Sequence, residues 1–163
     1  MTRSSSPTSL TRLRPPMGEV QLEIPARADY LVLARQVVAA AAAIEPRFRD
    51  ERIDDLRIAV SEATTNAIEA HADLSRADRI LIRCNLDDER IEVEVLDQGG
   101  GFDPDRATTA PEATAPDRLD YERGLGLPLM KTLADETEIE STAGGTAVRL
   151  VVYTPHATRP RTA

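Results

Sequence analysis

Two neighbouring stretches of alternating apolar and polar residues, 79–86 and 90–96, constrain the fold of this chain more than any other feature. Side chains two residues apart lie on the same face of a strand, so each stretch predicts a strand with one buried face. Only three acidic residues separate the stretches, and so short a connection joins antiparallel neighbours. The sequence therefore predicts a β-hairpin at the centre of the chain.

A second hairpin is predicted near the C-terminus, where the stretches 137–142 and 146–153 are joined by a turn at Gly144-Gly145. An earlier alternating stretch, 19–24, predicts a strand that opens the domain and ends at Pro25. Two hairpins require antiparallel pairing, so a purely parallel sheet is excluded.

Helical periodicity, with apolar side chains every three or four residues, occupies three other segments. The first is 30–44, where Asp29 is placed to cap the helix, the second is 49–72 and the third is 125–134. The segment 103–122 has no period and predicts a long loop, which in a compact domain is usually a functional lid or disordered. The expected architecture is α+β, with a mixed, mostly antiparallel sheet and helices packed on one face.

Composition limits the domain count and the classes of partner. With 163 residues and 41% hydrophobic residues, we expect one domain at 19–154 between flexible tails at 1–18 and 155–163. The net charge of −8 offers no basic field for nucleic acid. No apolar run approaches the ~20 residues that span a bilayer, so no membrane partner is expected. Because Cys84 is the sole cysteine and is expected in the core, disulfides are excluded and a cytoplasmic location is the default.

The first candidate site motif is a carboxylate and an amide one helical turn apart, Glu62 and Asn66, within the second helix. Asparagine is unfavourable inside a helix, so its presence there needs an explanation. The two side chains offer hard oxygen ligands that suit Mg²⁺ bound to phosphates, or the carboxylate serves as a general base. The alternative is the solvated face of an amphipathic helix.

The second candidate motif is Asp97, at the end of a predicted strand and followed by three glycines at 99–101. A carboxylate in this position can accept a hydrogen bond from an amino group such as that of adenine, and glycines permit close backbone approach. The alternative is a glycine-rich turn that begins with a polar residue.

The third candidate motif is the segment 124–127, Gly-Leu-Gly-Leu, at the start of the third helix. Backbone N–H groups at a helix N-terminus bind phosphate, although the same glycines also suit a hinge for the lid. No P-loop sequence occurs. His71 ends the second helix and His156 lies in the tail, so no histidine pair has metal-ligand spacing.

Together these motifs resemble the GHKL superfamily of ATP-binding domains, over about residues 19–154. The matching motifs are Glu62-x-x-x-Asn66 for the N box, Asp97-x-Gly99-x-Gly101 and Gly124-x-Gly126 for the two glycine boxes, and Gly145-Thr146 for the pair that closes the adenine pocket. The resemblance implies the Bergerat ATP-binding fold, a two-layer α/β sandwich. Within the superfamily, the stretch 60–68 is most similar to bacterial anti-sigma factors with serine/threonine kinase activity.

The resemblance also implies roles for single residues. Asn66 would coordinate Mg²⁺ on the triphosphate of ATP, and Glu62 would be the catalytic base. Asp97 would bind the adenine amino group, assisted by Thr146, and Arg123 would neutralise the terminal phosphate. The residues that it implies shape the pocket and contact phosphate are Gly99, Gly101, Gly124, Leu125, Gly126 and Leu127.

The predicted function is that of an anti-sigma factor that binds ATP and Mg²⁺, sequesters a sigma factor and phosphorylates a serine or threonine of an anti-anti-sigma protein. The resemblance also implies that a homodimer is compatible with such a chain. One alternative is a nucleotide-binding regulatory module of the same fold that has no kinase activity. Another is a free-standing ATPase domain with unrelated partners.

Overall fold

The computed structural model describes residues 18–71, 79–98 and 126–157. In chain order, its elements are β1 (Gly18–Pro25), a 3-10 turn (Ala28–Tyr30), α1 (Leu31–Ala42), α2 (Asp50–Ala70), β2 (Arg79–Leu86), β3 (Arg90–Asp97), α3 (Gly126–Leu133), β4 (Glu136–Thr142) and β5 (Gly145–Tyr153). Each predicted strand and helix is present, with ends that differ from the prediction by at most two residues. The predicted loop at 103–122 lies outside the described residues.

The five strands form one sheet in the order β1-β2-β3-β5-β4, and every neighbouring pair in it is antiparallel. Both predicted hairpins are therefore confirmed, as is the mostly antiparallel sheet. The chain passes from β3 through α3 to the outer strand β4 and then returns as β5 between them. This order places the end of β3 beside the start of β5.

The three helices pack against one face of the sheet, and α2 contacts both α1 and α3. Alternate strand residues point into the layer between sheet and helices, as expected for strands with one buried face. The strand side chains in this core are Ile24, Ile80, Ile82, Cys84, Leu86, Ile91, Val93, Val95, Val148, Leu150 and Val152. Burial raises the pKa of the Cys84 thiol to about 11, so this cysteine is protonated at neutral pH, as expected for a core side chain.

The opposite face of the sheet is covered by charged side chains that pair across strands. Arg83 donates a hydrogen bond to Glu94 at 2.9 Å, and Arg149 donates one to Glu92 at 2.6 Å. Cross-strand pairs of this kind contribute about 0.2–1 kcal/mol each. The glutamates on this face of the two outer strands are Glu19 and Glu23 in β1 and Glu136, Glu138 and Glu140 in β4.

Two local predictions are wrong in detail. Asp29 does not cap α1, because it lies within the 3-10 turn and its carboxylate accepts a hydrogen bond from Arg27 at 2.6 Å. The residue that precedes α1, Tyr30, makes no capping hydrogen bond through its side chain. The second hairpin turns through residues 143–144, and Gly145 is already the first residue of β5.

Candidate functional site

Helix α2 separates its side chains into a buried stripe and a polar side. The stripe packs into the core and consists of Leu56, Val60, Ala63 and Ala67. Glu62 and Asn66 lie off this stripe, are half-buried and are one turn apart, as predicted. Thr64 is fully buried, and its hydroxyl is satisfied within the helix by donation to the carbonyl of Val60 at 2.7 Å.

The first residue of α3, Gly126, lies directly against Glu62 and Asn66. A Cβ atom at Gly126 would be 2.9 Å from Oε2 of Glu62 and 3.5 and 3.6 Å from the amide nitrogen and oxygen of Asn66. Only a glycine leaves this approach open without displacing the carboxylate. The structure therefore brings a carboxylate, an amide and a helix N-terminus to one place, and the N-terminus carries a partial positive charge.

Contacts at the other end of α3 hold it against α2. Arg52, near the start of α2, donates a hydrogen bond to the carbonyl of Leu133 at 3.1 Å and another to Asp135 at 2.6 Å. The same Asp135 oxygen accepts the backbone N–H of Tyr153 at 2.9 Å. Since Arg52 meets the end of α3 and Glu62 meets its start, the two helices run antiparallel. Contacts at both ends of α3 thus fix its position along α2, and with it the position of its first turn beside the Glu62 carboxylate.

A second cluster forms around Asp97, the last residue of β3. Asp97 pairs with Thr146 in β5, and its side chain is only 4% exposed. Gly145 has a φ of +139°, and a Cβ atom on it would be 2.0 Å from the carbonyl oxygen of Asp97. Thr146 is buried, and its hydroxyl is 3.2 Å from that of Ser141. The predicted adenine-binding pair, Asp97 and Thr146, is therefore adjacent in space.

His71 is the residue of this cluster that sequence reasoning missed. It follows the last turn of α2, and its Nε2 is 3.9 Å from Oδ1 of Asp97. Motif searching considered it only as a metal ligand. Helical spacing could have identified His71 as buried, because it continues the buried stripe of α2 four residues after Ala67. A polar residue in an apolar stripe indicates a specific contact.

The donor set fits a magnesium ion that arrives with its own ligands. The described residues contain no group of three or more His, Cys, Asp or Glu side chains placed to hold a metal alone. Mg²⁺ keeps several waters and usually binds through one or two protein oxygens together with substrate phosphates. The amide oxygen of Asn66, beside the carboxylate of Glu62 and the N-terminus of α3, meets this requirement.

A groove of about 640 Å³ runs along the outer side of α1 and α2 and reaches Glu62. Its apolar lining includes Val32 and Ile58, which are 57% and 46% exposed. Arg35 and Arg57 line it as well. The candidate base therefore borders both the start of α3 and an open groove.

The other predicted pocket residues divide into two groups. Leu127 is described, and its side chain is buried in the core, so any contact with a ligand is through its backbone. The residues that lie outside the described ranges are Gly99, Gly101, Arg123, Gly124 and Leu125. The described ranges include no helix that is long and apolar enough to cross a membrane.

The helices lie on one face of an antiparallel sheet. Glu62 and Asn66 of α2 lie beside the N-terminus of α3, and a buried aspartate ends β3. This arrangement is that of a nucleotide-binding domain. Comparison with known families agrees. The histidine kinase-like ATPase domain matches residues 24–152, and the chain belongs to this family. The family resemblance predicted from the motifs is thereby confirmed.

The relatives carry names that match the predicted function. The chain is 40% identical over 137 residues to an anti-sigma F factor of Caldanaerobacter subterraneus. This match covers 82% of this chain and 92% of that protein. It is 36% identical over 132 residues to the serine-protein kinase RsbW of Bacillus subtilis, with coverage of 78% and 81%. The prediction of an anti-sigma kinase is confirmed at the level of these relatives.

A solved structure supports the fold. The crystal structure of the RsbU and RsbW domains of a Mycobacterium tuberculosis protein matches with a TM-score of 0.61 and 21% identity. The match covers 88% of this chain and 35% of that chain. At this identity the comparison concerns the architecture alone, and it agrees with the predicted two-layer fold.

Proposed function

We propose that this chain is an ATP- and Mg²⁺-dependent anti-sigma factor that binds a sigma factor and phosphorylates a serine or threonine of an anti-anti-sigma protein. The observation that carries the proposal is the approach of Gly126 to Glu62 and Asn66. It leaves a carboxylate, an amide oxygen and a helix N-terminus facing the same small space. Relatives named anti-sigma F factor and serine-protein kinase support the same conclusion.

The phosphate end of the nucleotide is assigned to the start of α3 and to Asn66. The first turn of a helix has N–H groups without partners inside the helix, and anions are favoured at this end. In α3 we assign this role to the N–H groups of Gly126 and Leu127, because Pro128 has none. The amide oxygen of Asn66 would hold Mg²⁺, which when bound neutralises charge on the phosphates. The glycines at 124 and 126 and Arg123 complete this assignment as predicted from the sequence.

The adenine end of the nucleotide is assigned to Asp97 and Thr146. A buried carboxylate accepts hydrogen bonds and donates none, so it favours a nucleobase that carries an amino group. The hydroxyl of Thr146 adds a group that both donates and accepts. Gly99 and Gly101, which follow Asp97 in the chain, are proposed to let the backbone approach the nucleotide.

The reaction assigned to Glu62 is removal of a proton. The hydroxyl oxygen of the serine or threonine attacks the γ-phosphorus of ATP, the bond to the β-phosphate oxygen breaks, and ADP leaves. The proton of the attacking hydroxyl passes to the carboxylate of Glu62. Few further side chains are needed, since positioning and charge neutralisation provide most of the rate in phosphoryl transfer.

The location of Glu62 suits a protein substrate. Glu62 also lines the groove along α1 and α2, so a segment lying in that groove would bring a hydroxyl close to this residue. The net charge of −8 favours contact with a basic region of a sigma factor. We assign the chain to the cytoplasm, and a homodimer is compatible with this arrangement.

The test is transfer of label from ATP labelled at the γ-phosphate to candidate antagonist proteins, combined with retention of sigma factors on the immobilised chain. Transfer to a serine or threonine together with retention of a sigma factor supports the proposal. Nucleotide binding without transfer supports the regulatory module instead. Transfer or hydrolysis without retention of any sigma factor supports an ATPase domain with unrelated partners.

The metal role of Asn66 predicts a specific loss of binding. Asn66→Ala should weaken Mg-ATP binding at least tenfold, about 1.4 kcal/mol, because it removes an oxygen ligand. Alanine also favours helix over asparagine, so the loss should occur without a fall in the melting temperature. Calorimetric titration with ATP, with Mg²⁺ and with EDTA, measures the Mg-dependent part.

The matched control for this variant is Asn85→Ala, the same substitution on the open face of the sheet. It should bind Mg-ATP as tightly as the unmodified chain. An Asn66→Ala titration indistinguishable from that of the control would contradict the metal role.

A further inference from the structure

The guanidinium group of Arg52 lies at the junction between the start of α2 and the end of α3. One of its terminal nitrogens donates to the carboxylate of Asp55 at 3.0 Å and to the carbonyl oxygen of Leu133 at 3.1 Å. The other donates to the carboxylate of Asp135 at 2.6 Å. The exposed fractions of the two side chains are 27% for Arg52 and 15% for Asp135. The proton transfer and metal binding proposed above use none of these groups.

Arginine is an unfavourable residue at this position of α2 by local criteria. Arg52 is the third residue of the helix, and the first turn of a helix carries a partial positive charge that favours carboxylates. Asp50 and Glu51 meet that preference, whereas Arg52 opposes it. Its contacts with Leu133 and Asp135, which are 81 and 83 positions further along the chain, account for an arginine here.

Helix α3 depends on such contacts for its position because it is short. It has eight residues, and helices shorter than about 12 residues are marginal on their own. The last carbonyl groups of a helix lack partners within it, and a cation is favoured at that end. Leu127 and Met130 are buried and hold one side of α3 against the core. Arg52 holds its last carbonyl group.

A shift at one end of so short a helix also moves the other end. Leu133 follows Gly126 by seven residues, which corresponds to about 10 Å along the helix axis. Hydrogen bonds from N–H groups are strong only at about 2.7–3.2 Å between the heavy atoms. The N–H groups at the start of α3 can therefore bind phosphate well only while α3 keeps its position along α2.

We infer that Arg52 is a positioning residue that holds the N-terminus of α3 where it can bind the phosphates of the nucleotide. The inference rests on the proposed nucleotide site and deepens it. Arg52 acts through α3 and not by contact with the nucleotide. The adenine end, at Asp97 and Thr146, is held instead by the pairing of β3 with β5. Loss of Arg52 should therefore weaken binding of the phosphates and leave binding of adenine unchanged.

The experiment compares ATP, in the presence of Mg²⁺, with adenosine, which lacks the phosphates. It uses the full chain and its Arg52→Met variant, in which the side chain has no donor. Calorimetric titration measures ATP affinity, and chemical-shift titration measures the weaker binding of adenosine. We expect the variant to bind ATP about tenfold more weakly and adenosine about as before, so that the preference for ATP falls about tenfold. Arg52→Lys retains a cationic donor and should keep most of the preference.

The matched control is Arg149→Met. Arg149 donates to Glu92 at the same separation, 2.6 Å, and the exposed fractions of these side chains, 25% and 17%, are similar to those of Arg52 and Asp135. This pair lies on the opposite face of the sheet from the helices, so its loss should leave the preference for ATP unchanged. A preference that falls equally in Arg149→Met and Arg52→Met would overturn the inference.

A purely structural role of Arg52 gives a different result. Equal weakening of ATP and adenosine in Arg52→Met, or an unchanged preference, would overturn the inference. If Arg52→Met does not fold, Arg52→Gln takes its place. Glutamine is shorter and uncharged, so this variant should lose the preference that Arg52→Lys keeps. Equal preferences in the glutamine and lysine variants would overturn the inference.

The unmodified chain and Asn66→Ala separate this inference from the proposal on which it rests. If the unmodified chain binds ATP no more tightly than adenosine, the proposed phosphate site is wrong and the inference fails with it. If Asn66→Ala loses the preference for ATP and Arg52→Met keeps it, the phosphate site holds and only the role of Arg52 is wrong. Loss of the preference in both variants supports both assignments.

Discussion

Replacement of Glu62 by glutamine is expected to reduce phosphate transfer to the antagonist protein by about 10²–10⁴-fold and to leave Mg-ATP binding within a few-fold of the original. Glutamine keeps the shape of the side chain beside Gly126 but cannot accept the proton of the attacking hydroxyl. The measurement is label transfer under single-turnover conditions, with nucleotide affinity measured separately by calorimetry. A loss of rate without a loss of binding shows that Glu62 contributes in the transition state and not to nucleotide binding, as expected for a base.

The matched control for this experiment is Glu69→Gln, which removes the same charge from the exposed side of the same helix. It should transfer phosphate at the original rate. If Glu62→Gln transfers as fast as this control, Glu62 is not the base. If Glu62→Gln instead loses nucleotide binding and transfer together, Glu62 acts as a ligand in the ground state.

Replacement of Gly145 by alanine is expected to destabilise the fold by about 2–5 kcal/mol, because it combines backbone strain with overpacking. The added Cβ would be 2.0 Å from the carbonyl oxygen of Asp97, and the φ of +139° is one that alanine rarely adopts. The melting temperature should fall by roughly 5–20 °C for a chain of this size. Because the strain falls on Asp97 and its partner Thr146, ATP affinity should fall as well.

The adjacent glycine provides the control. Gly144 is exposed in the same turn, and a Cβ on it would meet only the hydroxyl oxygen of Thr142 at 3.7 Å, an ordinary contact distance. Gly144→Ala should therefore leave melting temperature and ATP affinity almost unchanged. Equal effects of the two substitutions would contradict the role assigned to Gly145.

The strands and helices were predictable because their patterns are long and regular. In 79–86 every second residue from Ile80 to Leu86 is apolar, and each of these is buried in β2. The short connection that follows permits only antiparallel pairing with β3, which fixes the centre of the sheet. Local sequence does not encode the position of β5 between β3 and β4, because strand order depends on contacts distant in sequence.

Short-range details were less predictable, since several residues can serve the same purpose. Asp29 is a good helix cap by residue type, yet its carboxylate is used by Arg27. Gly144 and Gly145 look equivalent in a turn, yet only Gly145 has a positive φ among the described residues. The difference arises because the end of β3, at Asp97, lies close to Gly145, and this contact is between residues distant in sequence.

Sequence motifs identified the candidate site residues but not all of their neighbours. Glu62 and Asn66 were paired by helical spacing, and their contact with Gly126 required α3 to pack antiparallel to α2. His71 was missed because its partner is Asp97, 26 positions further along the chain. The roles assigned to Glu62 and Asn66 remain predictions, which the variants of these two residues test.

The glutamates on the two outer strands have a consequence for how copies of this chain can associate. If β1 or β4 of one copy paired with the same strand of another, glutamates of the two copies would lie on the same face, with the Cβ atoms of opposed residues about 5 Å apart. The resulting repulsion discourages open-ended polymers built by continued strand addition, a known hazard of exposed backbone hydrogen-bonding groups.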